Sequence, residues 1–424
     1  MLYRLFEFPR RRVLGTHLNV RQYGHQGLEM AMSFALAKRE AAAVCFLRPR
    51  QVVSEAMFEI EPDDVTVLRG PVARALVRTA WMCADGRDSA AAFLTRFWAV
   101  SRREATLMLD GQLDANRGRK SVQDGIKKAQ RWIKRLGDPK PRAVGPPLYY
   151  QRRLLRERQG VHLRPAALAA ARASAQAVGL DPDAPIVTLH VREAGWKFGR
   201  EMQDAKPGSR DDSTRNAQIA HYHDAIDELV SRGFVVVRLG DPSMTPIARA
   251  GVVDLATSDR RSNLLELYCM LRSAFFISGE AGPVGVCYLT GTPLLTVNAT
   301  DPISSYPIRA DGLFIPKTVL DRTTRRPLSL GELVSEDHLS NLRNVARFTY
   351  QENTPEEIRS AVLEMLEWTG GVRHETPEQV RFRDLAAEAG EQFRTSLNYV
   401  RKWGSDRGFI GDGLVCRFYA ERNQ

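Results

Sequence analysis

The 424-residue chain has no run approaching the roughly 20 apolar residues of a membrane span. Cysteine is scarce: Cys45, Cys83, Cys269, Cys287 and Cys416 stand far apart without a CxxC spacing, so neither a zinc site nor a disulfide framework is indicated. The start, "MLYRLFEFPRRRVLG", places basic residues after a very short apolar segment, the wrong order for a secretory signal. There is no internal repeat and no low-complexity tract. No strand-like run is followed by G-x-G-x-x-G, which argues against a dinucleotide enzyme. A cytoplasmic globular protein is expected.

What is present begins with charge. Lys and Arg exceed Asp and Glu to give a net charge of +11, which invites anionic partners: nucleic acid, a membrane surface or phosphorylated small molecules. Much of the excess lies between Arg117 and Arg164. Within it Val122, Ile126, Ala129, Trp132, Ile133 and Leu136 share one helical face, with Lys127, Lys128, Arg131 and Arg135 around the rest. The spacing predicts a helix over 121–137 with a solvated basic face, or one resting peripherally on anionic lipid. No nucleic-acid motif accompanies the charge, so nucleic acid is not expected as a partner.

Along the chain, strand-like and helix-like runs alternate. "RRVLGTHLNV" leads into the loop "RQYGHQG", a helix "LEMAMSFALAKRE" and strands "AAAVCFLRP" and "VTVLRG". The strongest breaker cluster, "GDPKPRAVGPP", covers 137–147. A helix over 164–180 then precedes the strand "IVTLHV", and the alternation continues through "FVVVRLG", "GVVDLAT", "AFFIS" and "PLLTVN". Strands separated by helices imply parallel sheets covered on both faces. The expected fold is therefore α/β, with two doubly wound, Rossmann-like domains facing across a cleft. Boundaries fall at 1–160 for the first domain, 161–345 for the second, and 346–424 for a helical tail that crosses back to the first. Thr354 followed by Glu357 forms a capping-box pattern in that tail.

In open parallel sheets, ligands bind outside the carboxyl ends of the strands. "VTLHVRE" puts His190 and Arg192 at such an end, "VVVRLGDPSM" puts Arg238 and Asp241 at a second, and "FFISGEAGP" puts Ser278, Gly279, Glu280, Ala281, Gly282 and Pro283 at a third, just before a helix. Glycines there let a backbone approach a ligand, and a helix N-terminus favours an anion; the same glycines also serve simply to pack helix on sheet. Arginines at neighbouring strand ends match phosphate bidentately. Asp211–Asp212 has basic neighbours, and His221 and His223 point different ways on a helix, so no metal is expected.

Several of these segments together resemble a bacterial glycosyltransferase family marked by an HVRE-Gly-aromatic segment, an Arg-Asn pair, "VRLGDPSM" and a Ser-Gly strand end. "VTLHVREAGW", "STRNAQIAHYHDAIDELVSRGFVVVRLGDPSM" and "FFISGEAGPVGVCYLTGTPLLTVN" carry the likeness over about 190–298, with "YGHQGLE" near 24–36. The His-x-Arg strand end is similar to that of fucosyltransferases, and "SGEAGPVGVCYLTGTP" to the strand–turn–helix of heptosyltransferases, with Pro283 and Val284 where those usually have a histidine nearby. The resemblance implies a GT-B architecture and a metal-independent, inverting transfer of a hexose or deoxyhexose from a nucleotide-sugar co-substrate, with no cofactor. The acceptor stays open among glycan, lipid-linked glycan, protein and small molecule. On this reading Arg192, with Arg238, neutralises the donor diphosphate, His190 orients phosphates or sugar, and Arg215 and Asn216 reach in from a loop. Asp254 is a candidate for base or ribose contact. His25 and Glu29, in and after the first loop of the facing domain, are the candidates for acceptor base; a first-turn carboxylate stabilised by the helix dipole is the plain alternative for Glu29. A nucleotide-sugar epimerase or hydrolase, and a non-catalytic nucleotide-binding protein, remain alternatives.

Overall fold

The computed structural model describes residues 2–8, 11–18, 23–47, 52–85, 152–194, 212–396 and 410–422, together with 123, 124 and 127. The basic segment expected as a helix over 121–137, the breaker cluster at 137–147 and the loop 195–211 lie outside the described residues, apart from helical turns at 123, 124 and 127.

The first unit is a three-stranded sheet. β1 (Leu2–Phe8) pairs antiparallel with β2 (Arg11–His17), which pairs parallel with β3 (Ala43–Phe46) through the crossover helix α1 (Tyr23–Arg39). Successive strand residues point to opposite faces. Leu14 and Val44 accordingly join a core with α1, whereas Val13 and Cys45 join a smaller one with Val77 of α2 (Pro71–Asp85). "VTVLRG" contributes only an isolated bridge, Val67 to Val44, rather than a strand of its own. β1 is an addition to the expected strands. A short two-stranded ribbon, β4 (Ile60–Pro62) with β5 (Val161–Leu163), ties the chain on either side of the basic segment together.

The second unit is doubly wound. After α3 (Pro165–Ala177) come β6 (Ile186–His190), α4 (His223–Ser231), β7 (Val235–Arg238), β8 (Val252–Asp254), α5 (Asn263–Arg272), β9 (Ser273–Ser278), α6 (Pro283–Thr290), β10 (Leu294–Ala299) and β11 (Leu313–Pro316). A separate antiparallel ribbon of β12 (Thr318–Asp321) and β13 (Phe348–Gln351) follows. The seven-stranded sheet has the order β8-β7-β6-β9-β10-β11-β14, all parallel, with β14 (Leu414–Val415) from the tail at one edge. Numbered from β6, the first six strands run 3-2-1-4-5-6, the dinucleotide-fold order, whose crevice lies where the order reverses. That point is between β6 and β9, and His190 is the register partner of Ser278 there.

Burial on both faces explains the near-continuous apolar strands. Phe276 and Val237 enter a core shared with α3, α5, α6 and α1, while Phe275, Ile277 and Val236 enter one covered by α4, α7 (Pro355–Thr369) and α8 (Pro377–Ser396). The chain is thus α/β with a large parallel sheet covered on both faces, as its alternation predicts. The described tail packs on this sheet, contributing α7, α8, β14 and α9 (Arg417–Arg422), and its Asp412 also accepts a hydrogen bond from Arg156 of the 1–160 segment at 3.0 Å. The capping box acts where the sequence places it. Thr354 and Glu357 form a reciprocal capping box, and Gly291 ends α6 at a φ of 69°.

Between the units there is direct contact. Gly24 and Gly27 of α1 face Gly282 and Gly285 at the start of α6 so closely that a Cβ on Gly24 would stand 2.1 Å from the Gly282 carbonyl oxygen. A Cβ on Gly285 would stand 2.0 Å from that of Gly24. The apolar core continues across this contact, so at this point the two units touch rather than face across open space.

Candidate functional site at the strand-order reversal

Four strand ends, those of β6, β9, β10 and β11, share the carboxyl edge of the large sheet. At its centre His190 ends β6, only 6% exposed, and its Nδ1 has no hydrogen-bond partner among the described residues. Burial, followed by the nearby Arg238 charge, pushes its pKa down to about 4, so the ring is neutral at physiological pH.

Arg192, two residues on, is half-buried. Its Nη1 donates to the carbonyl oxygen of Asp212 at 2.8 Å and to Oδ1 of Asn216, both uncharged acceptors. Among the described residues no carboxylate lies at ion-pair distance from it, and its Nε and Nη2 have no partner. Desolvation, then repulsion from Arg215, lowers its pKa to about 10. Asn216 is also held from the other side: Lys317, the residue after β11, donates Nζ to the Asn216 carbonyl oxygen at 2.6 Å. Two cations thus converge on one asparagine.

Arg215 pairs with Asp212 at 3.0 Å and lies 3.8 Å from Glu280. Ser278 is fully buried and donates to the Gly279 carbonyl oxygen. A Cβ on Gly279 would meet only ordinary contacts, the nearest being the Val297 carbonyl oxygen at 3.5 Å. Ala281 is half-buried, and Pro283 occupies the first turn of α6, where it brings no N–H donor. Asp241 is buried and accepts the Ser243 N–H at 3.0 Å in its own turn.

Several expectations are corrected by this geometry. Arg238 is 0% exposed and clamped between Glu193 at 2.6 Å and Asp254 at 3.2 Å, so its guanidinium is not presented to a ligand. Glu193 and Asp254 are committed to it in turn, with Thr245 N–H and Ile247 N–H completing the network. Glu280 points inward: it accepts from Thr300 at 2.7 Å and Ser304 at 3.1 Å and is ion-paired with the buried Arg343. Gly282 uses its bare backbone against Gly24 rather than a ligand. Glu29 is 1% exposed, packed within α1's buried face, and is closed to an acceptor. His25 lies in the first turn of α1, not in a loop, and is half-buried; burial lowers its pKa.

Lys317 and Arg343 join the site without being among the sequence candidates. Lys317 had a signal, because it follows the apolar run "LFIP" as His190 and Ser278 end theirs. Arg343 had none: it sits in an irregular segment at a φ of 60° and reaches Asp212 at 3.1 Å across the chain. Among the described residues no group of three or more His, Cys, Asp or Glu side chains is placed to hold a metal ion. No described helix is long and apolar enough to cross a membrane.

One more buried acid lies beside the contact between units. Glu266 of α5, 3.4 Å from Arg261, has its pKa raised by burial to about 7, and the buried Tyr23 Oη nearby has no hydrogen-bond partner. The folded protein holds this proton where the unfolded chain has lost it, so stability falls as pH rises from about 4.5 to about 7 and the full cost persists above. Glu266→Gln is expected to gain on the order of 2–3 kcal/mol relative to wild type between pH 4.5 and pH 8. Urea unfolding at both pH values measures it, and a pH-independent difference contradicts the assignment.

No family model matches the sequence, and no curated protein matches it. Among solved structures the chain is similar to a glycosyl transferase family 9 protein of Veillonella parvula, at 9% identity over 86% of this chain and 99% of that one, with a TM-score of 0.40. It is also similar to the E. coli ADP-heptose lipopolysaccharide heptosyltransferase II, at 11% identity over 84% and 98%, with a TM-score of 0.41. The NodZ α-1,6-fucosyltransferase co-crystallised with GDP gives 14% identity over 65% and 90%, with a TM-score of 0.26. Likenesses this low place the chain in none of these families.

Proposed function

We propose that the chain is a glycosyltransferase of GT-B type, with a nucleotide-sugar donor bound at the carboxyl edge of the large sheet. One observation carries this reading: Arg192 stands at the strand-order reversal with two unpartnered donor nitrogens and no described carboxylate at ion-pair distance. A diphosphate is the ligand group whose charge and planar oxygen pairs suit that fork.

In the proposed reaction an acceptor hydroxyl oxygen bonds to the anomeric carbon while the bond from that carbon to the phosphate oxygen breaks, its electron pair leaving with the nucleoside diphosphate. Arg192 and Arg215 stabilise the charge gathering on the leaving group. His190, neutral, offers its Nδ1 to a phosphate or sugar oxygen. Asn216, Asp241, Ser278, Gly279 and Ala281 line the same edge. His25 takes the acceptor proton; burial holds its pKa below the usual histidine value, which favours the neutral ring that a base requires. The reading keeps the expected division at about 160 and 345, an inverting and metal-independent transfer, and a cytoplasmic location.

The test is a thermal-shift screen of UDP, GDP, CDP, ADP, TDP and CMP. A nucleotide at about a hundred times its dissociation constant stabilises by roughly 2.7 kcal/mol. One base is expected to stand out, and its sugar conjugates are then tried with and without acceptors. No shift with any nucleotide, or donor consumption equally fast without acceptor, overturns the proposal.

A further inference from the structure

Lys317 is among the most enclosed charges of the described residues. It is 2% exposed, lies at the end of β11, and its backbone N–H is bonded to the Ala299 carbonyl oxygen at 2.9 Å, which fixes it on the same carboxyl edge. Its ammonium makes one hydrogen bond among the described residues, to a neutral carbonyl, that of Asn216. Lysine is rarely buried so fully without a carboxylate. The charged groups around it are few. Arg192 repels it and Glu352, just beyond β13, attracts it from outside ion-pair distance. Glu352 is engaged with the Gln218 N–H at 2.8 Å and with His221 at 3.3 Å. Asp212, which partly offsets Arg192, is held by Arg215 and Arg343.

We propose that Lys317 is the second cation of the anion-binding edge, and that an anion seated against Arg192 draws a proton onto Lys317, so that ligand occupancy and the charge of this lysine are linked. This rests on the reading that the edge takes phosphate and adds how the site responds to protons. The geometry is two cations sharing Asn216, one through its side-chain oxygen and the other through its backbone oxygen, with the nearest counter-charges already paired. Burial, with Arg192 adding repulsion, holds the Lys317 pKa at about 8, so in the free protein its charge is lost just above physiological pH. A bound dianion favours the charged form and raises that value. Affinity is therefore full below the free-protein value and falls as pH rises through it.

Sulfate is the probe, because it is a tetrahedral dianion that does not itself titrate in this range. The measurement is its dissociation constant across pH, by calorimetry on the intact protein. For wild type the constant is expected to rise about tenfold between pH 7 and pH 9, as one linked proton centred near 8 requires. Lys317→Met is expected to bind about tenfold more weakly at pH 7 and to show no such rise. Lys317→Arg keeps its charge throughout and is expected to bind at pH 9 as tightly as at pH 7, which separates a charge effect from a folding defect. Absence of sulfate binding, a pH-independent wild type, or an unchanged pH profile in Lys317→Met overturns the inference. Nucleotide binding tells the two proposals apart: sulfate linkage without any nucleotide affinity sinks the transferase reading alone, and nucleotide affinity indifferent to Lys317 sinks the inference alone.

Discussion

Arg192→Ala is expected to lose about 1.5–3 kcal/mol of nucleoside diphosphate affinity, a factor of roughly ten to a hundred, and more than that in turnover. The first loss is that of a charge-assisted bond from a half-buried guanidinium whose Nε and Nη2 meet no described partner. In the proposed transfer the second is larger, because the leaving diphosphate would carry more charge in the transition state than in the bound donor. Arg192 also organises the loop behind it, its carbonyl oxygen accepting the Ala217 N–H at 2.9 Å and its side chain donating to Asp212. Arg192→Lys separates these duties: an ammonium keeps the charge but not the planar fork, so it rescues binding in part. Calorimetry with the nucleoside diphosphate, paired with transfer kinetics, reads both. Wild-type affinity and rate in Arg192→Ala would mean that this arginine only ties down the 212–217 loop.

The second large effect is on stability. Gly285→Ala places a methyl 2.0 Å from the Gly24 carbonyl oxygen, and Gly24→Ala places one 2.1 Å from the Gly282 carbonyl oxygen. The obstructing atoms are backbone on both sides, so no side-chain rotation relieves the clash and the two helices must separate. Separation opens the core that joins Met30 and Phe34 of α1 to Val286 and Leu289 of α6. A loss of about 3 kcal/mol, at the upper end of overpacking effects, is expected for either variant in urea unfolding. Gly331→Ala is the control, because nothing lies within 4 Å of a Cβ there, and its expected change is within about 0.5 kcal/mol of wild type. A Gly285→Ala protein as stable as the control would show that the helices part without penalty.

The outcome for "HVRE" shows how far local reading reaches. That a polar tip follows β6 is legible in the sequence, because a strand buried on both faces must be apolar until it ends. Which of its charges is taken up by a distant carboxylate or arginine is not. Glu193 is turned to Arg238, 45 positions away, whereas Arg192 faces Asn216 and Asp212. Arg192 lies two residues past β6, whereas Arg238 ends β7 in register with Leu189, and the carboxylates brought beside Arg238 make it structural. The glycines of "YGHQG" and "GPVG" carried the same ambiguity. Each marks a place where backbones come close, but whether the neighbour is a ligand or another helix depends on how α1 docks.

The sequence by itself determined local terms: the strand runs of the large sheet from "IVTLHV" to "PLLTVN", the helix start at Thr354, and that a parallel sheet carries polar residues at its carboxyl edge. These depend on side-chain periodicity and on φ preferences, which act within a few residues. Tertiary structure alone decided that β9 lies beside β6, so that His190 meets Ser278 at the reversal. It also decided that Lys317 joins Arg192 at Asn216, and that Arg343 closes over Glu280 from 63 positions away. A buried charge takes its partner from whichever segment the packing brings near, and no local pattern encodes that choice.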